Sequence, residues 1–309
     1  MGFLLRILKI GSSNMTFRRK WQLFILQIIL DMNEKTFNGK AIRMPKGAAG
    51  EYGKYSCNLY VGCSNGCTYC YLNKPPFKKA CGGKVPTLKK CFNDEQHALE
   101  IFENELKANL QELLKHGLFF TFTSDPFLRD TYRLTNAAIK RCLWNDVPVK
   151  VLTKMNVNVG TMISLYGAFR QRLAFGFTLT GHDDLEPNAF TNAQRIEAMK
   201  KLHDAGFKTW ASIEPIIDFE SSKDMIRKTA GFCDLYKIGL ESGKKYDKTE
   251  LLKFIEWCNS AYITEDRCGF YTQKNYFKNS LLKQAGINRE DLPINCVTRD
   301  YNIFNYEYR

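Results

Sequence analysis

Length, composition and charge set the first limits on this chain. Its 309 residues are 44% hydrophobic and 25% charged, which is enough apolar material for one large core or two small ones. Eleven cysteines exclude a small disulfide scaffold and, being odd in number, leave at least one unpaired, so we expect a reducing compartment and metal binding. The formal net charge of +13 favours an anionic partner such as nucleic acid, with a solubilising basic surface as the alternative.

The first predicted element is an apolar segment from Trp21 to Leu30 that follows the basic residues 18–20. It resembles the start of a secretory signal, but residues 31–35 offer no small-residue cleavage site, and the segment is too short to span a bilayer. A surface or packing helix is a second interpretation. A third, which we favour, is that translation begins at Met32. Residues 1–31 are therefore an N-terminal leader of open status, and we expect a cytoplasmic protein with no membrane partner.

Short β-rich runs alternate with longer helical patterns after residue 54, as in successive βα units around a parallel sheet. The predicted strands are 55–61, 118–123, 149–153, 173–180, 208–213 and 234–240. The predicted helices are 94–115, 134–144, 157–169, 191–205, 222–231 and 248–260. The fold class is therefore α/β, a partial (β/α)6 TIM-like barrel over residues 32–260, and such barrels carry their chemistry on the loops after the strands. Residues 261–309 lack this rhythm and form a C-terminal extension.

The strongest motif is a group of cysteines directly after the first predicted strand. Cys63, Cys67 and Cys70 have the spacing C-x3-C-x2-C in the loop 62–71, which contains two glycines. Thiolates are the usual ligands of iron–sulfur clusters, and a short loop with glycine can wrap around one. Three ligands leave one iron of a four-iron cluster open to bind a substrate. The sequence therefore predicts a [4Fe–4S] cluster on these three cysteines.

A zinc site is the alternative interpretation of the same motif, because C-x2-C also suits tetrahedral zinc. It would recruit Cys57, Cys81 or Cys91 as a fourth ligand. Zinc sites usually pair two such motifs, and the chain has no second C-x2-C. The cluster is therefore the favoured interpretation.

Around these cysteines the chain resembles the radical S-adenosylmethionine (radical SAM) superfamily, and more narrowly its spore photoproduct lyase-like branch. The resemblance covers about residues 40–245 and includes Thr123–Phe127, Leu152–Lys154 and Ser212–Pro215 after later strands. It implies that S-adenosylmethionine chelates the open iron through its amino and carboxylate groups. One electron, from a donor such as flavodoxin or ferredoxin, would then release methionine and a 5′-deoxyadenosyl radical that takes hydrogen from a substrate.

Eight residues are candidates for binding S-adenosylmethionine. They are Tyr69, Tyr71, Ser124, Asp125, Lys154, Thr178, Thr180 and Glu214. The oxygens of Ser124 and Asp125 can accept hydrogen bonds from the ammonium or ribose, Lys154 can pair with the carboxylate, and the backbone around the two tyrosines can edge the adenine. The two threonines and Glu214 would face the same mouth from later strand ends. Ser-Asp-Pro is also an ordinary turn signal and a lone lysine is usually solvated, but the shared location at strand ends favours cofactor binding.

One position departs from the enzyme after which the branch is named. A hydrogen-donating cysteine stands there two residues before the serine of the motif, and Phe122 has that place here. An aromatic ring has no S–H hydrogen to donate. The resemblance therefore implies a member of the branch with a different reaction cycle.

A lysine-rich segment, which we call the flap, lies between the cysteine loop and the first predicted helix. Its lysines, with no acidic residue among them, are Lys74, Lys78, Lys79, Lys84, Lys89 and Lys90. A basic flap suits a phosphate backbone, although solvated lysines are the ordinary alternative. Near the end of the chain, the rings of residues 301, 304, 306 and 308 can stack on bases or, as we favour, pack against the barrel.

The leading hypothesis is a radical SAM enzyme that acts on nucleic acid or a nucleotide, with a peptide or small metabolite as the alternative substrate. Two rivals stay open. One is a non-catalytic zinc or iron–sulfur module that binds nucleic acid, and the other is a radical activase that makes a glycyl radical on a partner protein.

Overall fold

The computed structural model of the protein describes residues 37–260, 263–266, 269–272, 274–293 and 295–304. The leader 1–31, which includes Trp21–Leu30, lies outside the described residues, as do Met32, Tyr306 and Tyr308. Among the described residues, no helix is both long enough and apolar enough to cross a membrane.

Twelve strands occur in the described residues, and eight of them form one sheet. The strands are β1 (Ile42–Arg43), β2 (Ser56–Cys57), β3 (Tyr60–Val61), β4 (Thr87–Leu88), β5 (Leu118–Phe120), β6 (Val149–Thr153), β7 (Leu173–Thr178), β8 (Lys208–Ile216), β9 (Leu235–Leu240), β10 (Ile263–Asp266), β11 (Gly269–Thr272) and β12 (Asn275–Phe277). The large sheet has the order β1-β2-β5-β6-β7-β8-β9-β12. Only its first pair is antiparallel. Two antiparallel pairs, β3 with β4 and β10 with β11, lie outside it.

The described residues contain nine α-helices, most of which connect the parallel strands. They are α1 (Lys78–Cys81), α2 (Glu95–Ala108), α3 (Leu110–His116), α4 (Tyr132–Trp144), α5 (Val159–Tyr166), α6 (Asn192–Asp204), α7 (Phe219–Thr229), α8 (Lys248–Ser260) and α9 (Asn279–Ala285). Local signals begin several of them. Asp94 accepts a hydrogen bond from the N–H of His97 at the start of α2, and Thr191 and Gln194 form a capping box on α6, which satisfies N–H groups that have no partner within the helix.

The sheet curls into a partial barrel, because strands from distant positions in it share one interior cluster. Phe119 of β5, Trp210 of β8 and Tyr276 of β12 all belong to this cluster. On β7, a Cβ at Gly176 would lie 2.1 Å from the ring of Trp210, so the indole needs a glycine on the neighbouring strand. Tyr52 joins the cluster, and Tyr301 and Phe304 pack against it, which is the packing role favoured for these two rings.

The predicted fold class is confirmed, and the differences are local. The strand predicted at 55–61 is divided into β2 and β3, which belong to different sheets, because β2 pairs with β1 and β5 whereas β3 pairs with β4. The helix predicted at 94–115 is broken at Asn109, whose backbone is not helical. Strand β12 was missed, since three residues are too few to show a period. The boundaries assigned to the leader, barrel and extension stay predictions.

Candidate cofactor site at the mouth of the barrel

The cysteine loop follows β3 at the mouth of the barrel. Cys63, Cys67 and Cys70 are half-buried within it. Gly62 and Gly66 have φ values of +82° and +71°, a region that side chains disfavour. A Cβ at Gly62 would also lie 2.5 Å from the carbonyl oxygen of Val85. The course of the loop therefore depends on the two glycines in the motif.

The three thiols are electrostatic neighbours on this loop. Burial raises the pKa of Cys63 to about 12, and the charges of Asp125 and Cys67 act in the same direction. Burial also raises the pKa of Cys67, against the lowering effect of Lys154, and the charge of Cys70 adds to the increase. Cys63 and Cys67 are therefore protonated at neutral pH unless a cation compensates their charge.

The three thiols of the cysteine loop are a donor set that fits an iron–sulfur cluster. In the part of the chain that the structure describes, no three His, Cys, Asp or Glu side chains are arranged to hold a metal ion. Three soft thiols on one loop are nevertheless the usual donors for such a cluster. Of the candidate fourth ligands for zinc, Cys57 is fully buried in the sheet, whereas the carbonyl of Cys81 accepts the N–H of Gly62 at 3.0 Å. Cys81 therefore lies beside the loop and is the candidate for the fourth ligand of a zinc site.

Asp125 connects the cysteine loop to the ends of β5 and β6. Its Oδ2 accepts hydrogen bonds from the Asn65 side chain at 3.1 Å and the Lys154 N–H at 2.8 Å. Its Oδ1 accepts from the Thr153 hydroxyl at 2.7 Å and the Phe127 N–H at 3.0 Å. The bond to Phe127 is the ordinary turn contact of this motif, but the other three reach the cysteine loop and the end of β6. Because a carboxylate accepts about four hydrogen bonds, Asp125 is fully engaged by the protein.

Ser124, Asn65 and Lys154, which surround Asp125, keep unused polar capacity. Within the described residues, the buried Ser124 Oγ and Asn65 Oδ1 have no hydrogen-bond partner, and buried orphans of this kind indicate a ligand or a water. The Nζ of Lys154 lies 3.9 Å from Glu186 Oε1, which is longer than a hydrogen bond. It also lies 5.5 Å from the ring centre of Tyr69. This ammonium can therefore still bind an anion.

A buried ion pair behind the loop was missed by the sequence analysis. The side chains of Glu186 and Arg195 are fully enclosed and paired, and Glu186 also accepts the hydroxyl of Tyr69. Backbone bonds from Thr68 to Leu185 and from residue 188 to residue 65 join the same two loops. The segment between β7 and α6 thus braces the cysteine loop. No spacing or period in the sequence indicates such a pair.

The remaining predicted residues are placed in different surroundings. Thr178 and Thr180 are buried, and the hydroxyl of Thr180 accepts the N–H of His182 at 3.2 Å, so the structure does not bring it to an open surface. Tyr71 is 39% exposed. Its hydroxyl donates to the carbonyl of Phe122 at 2.7 Å, which joins the cysteine loop to the segment after β5.

Glu214 belongs to a second polar group at the mouth. Its carboxylate accepts hydrogen bonds from Lys278 and from the hydroxyl of Tyr52, and Tyr52 also bonds Ser212 at 2.8 Å. The partial burial of this side chain, then the charges of the neighbouring thiols and of Glu214, raise the pKa of Tyr71. The second group is therefore within electrostatic reach of the cysteine loop.

Comparison with known proteins finds a distant sequence relative but no matching family model. The chain matches no model of a known protein family. It is 26% identical over 196 residues to an uncharacterized protein of Methanocaldococcus jannaschii, and the match covers 59% of this chain and 68% of that protein. This relative, being uncharacterized, adds no activity.

Two solved structures share the fold. A cysteine-to-serine mutant of spore photoproduct lyase aligns with 67% of this chain and 60% of its own, at a TM-score of 0.52 and 17% identity. Streptococcus suis SuiB bound to precursor peptide SuiA aligns with 96% of this chain and 64% of its own, at a TM-score of 0.52 and 13% identity. The chain thus spans under two thirds of each. Because both neighbours are radical SAM fold proteins, the chain has the fold that these two proteins share, the α/β partial barrel that its βα rhythm predicted.

Proposed function

We propose that the protein is a radical SAM enzyme that binds a [4Fe–4S] cluster through Cys63, Cys67 and Cys70. When bound and reduced, the cluster supplies the electron that cleaves S-adenosylmethionine to methionine and a 5′-deoxyadenosyl radical, which abstracts hydrogen from a substrate. One observation carries the proposal. The three thiols lie on a single loop that Asp125 and Asn65 hold against the end of β6, at the edge where parallel α/β barrels carry their chemistry.

The residues around the loop would bind and orient the cofactor. Lys154, whose charge lowers the pKa of both Cys63 and Cys67, offers its ammonium to the cofactor carboxylate. The hydroxyl of Ser124, buried without a partner in the described part of the chain, can donate to or accept from the same ligand. Glu214 offers acceptor oxygens from β8, two strands further along the sheet.

The flap supports nucleic acid or a nucleotide as the substrate. Lys78, Lys79, Lys84 and Lys90 are exposed, and no ion pair with an acidic side chain occurs at any of them within the described residues. Phe77, which directly precedes Lys78, is 48% exposed and packs edge-on against Tyr71. Cationic side chains beside an exposed aromatic ring are suited to a phosphate backbone with unpaired bases. The peptide bound to SuiB keeps a peptide substrate as the alternative.

Production of 5′-deoxyadenosine tests the proposal. The protein is reconstituted anaerobically with iron and sulfide, reduced with dithionite and given S-adenosylmethionine, and the product is measured by chromatography. We expect the nucleoside from the wild type and none from Cys67→Ala. A physiological one-electron donor such as flavodoxin or ferredoxin should replace dithionite, which suits a cytoplasmic enzyme.

Cys81→Ala is the matched control, because it removes a thiol beside the loop that the cluster does not need. Three-cysteine ligation predicts unchanged iron content and unchanged product in this variant. A four-ligand zinc module predicts loss of metal from Cys81→Ala or Cys91→Ala, and no product from any form. A wild-type protein with a full cluster that makes no 5′-deoxyadenosine would contradict the proposal.

A further inference from the structure

We propose that Lys278 and Tyr52 are positioning residues that hold the carboxylate of Glu214 as the acceptor for the ribose hydroxyls of S-adenosylmethionine. This inference rests on the proposed function and deepens it. It adds to the site a residue that directly follows β12, the strand that the sequence analysis missed.

The three side chains form one hydrogen-bonded group. The Nζ of Lys278 lies 2.9 Å from Oε1 and 2.8 Å from Oε2 of Glu214, and the hydroxyl of Tyr52 donates to Oε2. Lys278 also lies over the ring of Tyr52, with Nζ 4.6 Å from its centre. Both partners therefore act on the same carboxylate and restrict its rotation.

The carboxylate keeps one side free for a ligand. Three of about four acceptor positions are used by the protein. The side chain of Glu214 is 21% exposed, whereas that of Lys278 is only 3% exposed, so the group presents the carboxylate and not the ammonium. The register between β8 and β9 also shifts between Ile213 and Ile216, and irregularities of this kind re-aim side chains near barrel rims and active sites.

Gly239 of β9 leaves the space that the pair occupies. A Cβ at this position would lie 2.7 Å from Cδ of Lys278 and 2.8 Å from Cδ of Glu214. A buried ion pair is weak evidence for stability, because apolar residues of the same volume often do as well. Stability alone therefore gives no reason for a lysine, a glutamate and a glycine to meet here.

The ribose hydroxyls are the cofactor donors that fit this acceptor. In the proposed function the methionine end is held at the cysteine loop and at Lys154, which follows β6. Glu214 lies on β8, two strands further along the same sheet, a displacement of about 10 Å at the usual strand spacing. This matches the distance along the cofactor from carboxylate to ribose. Carboxylates at strand ends bind ribose hydroxyls in dinucleotide-binding sheets by the same chemistry.

Equilibrium binding without turnover tests the inference. Calorimetry on the anaerobically reconstituted protein, with no reductant, measures the Kd of S-adenosylmethionine and of its 2′,3′-dideoxy analogue. The variants are Glu214→Gln, Lys278→Met and Tyr52→Phe. The matched control is Lys237→Met, since Lys237 is also buried and lies 5.3 Å from the ring centre of Tyr52, but donates to the backbone oxygen of Glu51.

We expect the wild type and Lys237→Met to bind the analogue roughly tenfold to a hundredfold more weakly than S-adenosylmethionine, the loss typical of hydrogen bonds to a charged acceptor. Glu214→Gln and Lys278→Met should bind S-adenosylmethionine more weakly and show little difference between the two ligands. A purely structural role would weaken both ligands together and preserve their ratio, which would overturn the inference.

Two further readouts keep the outcomes distinct. Thermal unfolding is measured for each variant. If Lys278→Met does not fold, Tyr52→Phe, which removes one hydroxyl, carries the test, and an unchanged ratio in that variant refutes the inference. A wild type that makes 5′-deoxyadenosine but does not discriminate between the ligands refutes the ribose assignment alone. A wild-type protein that makes no 5′-deoxyadenosine refutes the proposed function as well.

Discussion

Replacing Asp125 by asparagine should destabilise the protein far more than the small chemical change suggests. The four groups that bond its carboxylate are all placed as donors, and the new amide would accept on one side only. Asn65 can flip and Thr153 can rotate, but the backbone N–H of either Lys154 or Phe127 is left without an acceptor. That group costs about 1–3 kcal/mol, and each of two remaining bonds loses about 1 kcal/mol of charge assistance. Relief from burying a charge offsets part of this.

We therefore expect Asp125→Asn to lower the free energy of unfolding by about 2–4 kcal/mol, a large part of a typical total of about 5–15 kcal/mol. Urea unfolding of the metal-free, reduced protein, followed by tryptophan fluorescence, measures the change. Asp184→Asn is the control, because Asp184 is on the bracing segment but its side chain is 75% exposed, and it should change stability by no more than about 0.5 kcal/mol. A loss below about 1 kcal/mol in Asp125→Asn, with a normal control, would show that Asp125 does not fasten the loop.

Three further predictions concern pH, salt and packing. Burial lowers the pKa of Lys150 to about 8, below its value of about 10.4 in unfolded chains. At this group the unfolded state therefore binds more protons between these values, so the contribution of Lys150 to stability rises with pH across this window. In a pH series of melting temperatures, Lys150→Met should make the slope of melting temperature against pH less positive than in the wild type. Replacing Lys78, Lys79, Lys84 and Lys90 by glutamine should weaken the binding of single-stranded nucleic acid. It should also reduce the slope of log Kd against log salt concentration by up to about 3. An unchanged slope would show that the flap does not contact the nucleic acid. Gly239→Ala should lower the free energy of unfolding by about 1–3 kcal/mol, because the new methyl group would overpack against Lys278 and Glu214. Gly231→Ala is the control, since a Cβ there meets nothing within 4 Å, and it should leave the free energy of unfolding nearly unchanged in the same urea assay.

The sequence predicted those features that depend on local order along the chain. Strand β6 and helix α8 begin and end where the hydrophobic pattern predicted, because a buried strand or an amphipathic helix shows its period within a few residues. The cysteine motif was equally visible, since all three thiols belong to one loop. Its surroundings were predicted in part: Ser124, Asp125 and Lys154 do follow strands that end beside that loop.

Tertiary structure alone decided which side chains meet across the barrel. Glu214, Tyr52 and Lys278 come from segments far apart in the sequence, and their meeting leaves no trace in composition or spacing. Glu186 and Arg195 lie nearer to each other, one in the connection after β7 and one in α6, but their pairing follows no recognisable spacing either. The roles of Asp125 and Thr180 also needed the structure, because a residue at a strand end can either face a ligand or bond to the protein, and only its neighbours determine which. The motif and the βα rhythm are local properties of the sequence, whereas the polar groups that surround the motif are set by the curvature of the sheet, which brings distant strands together.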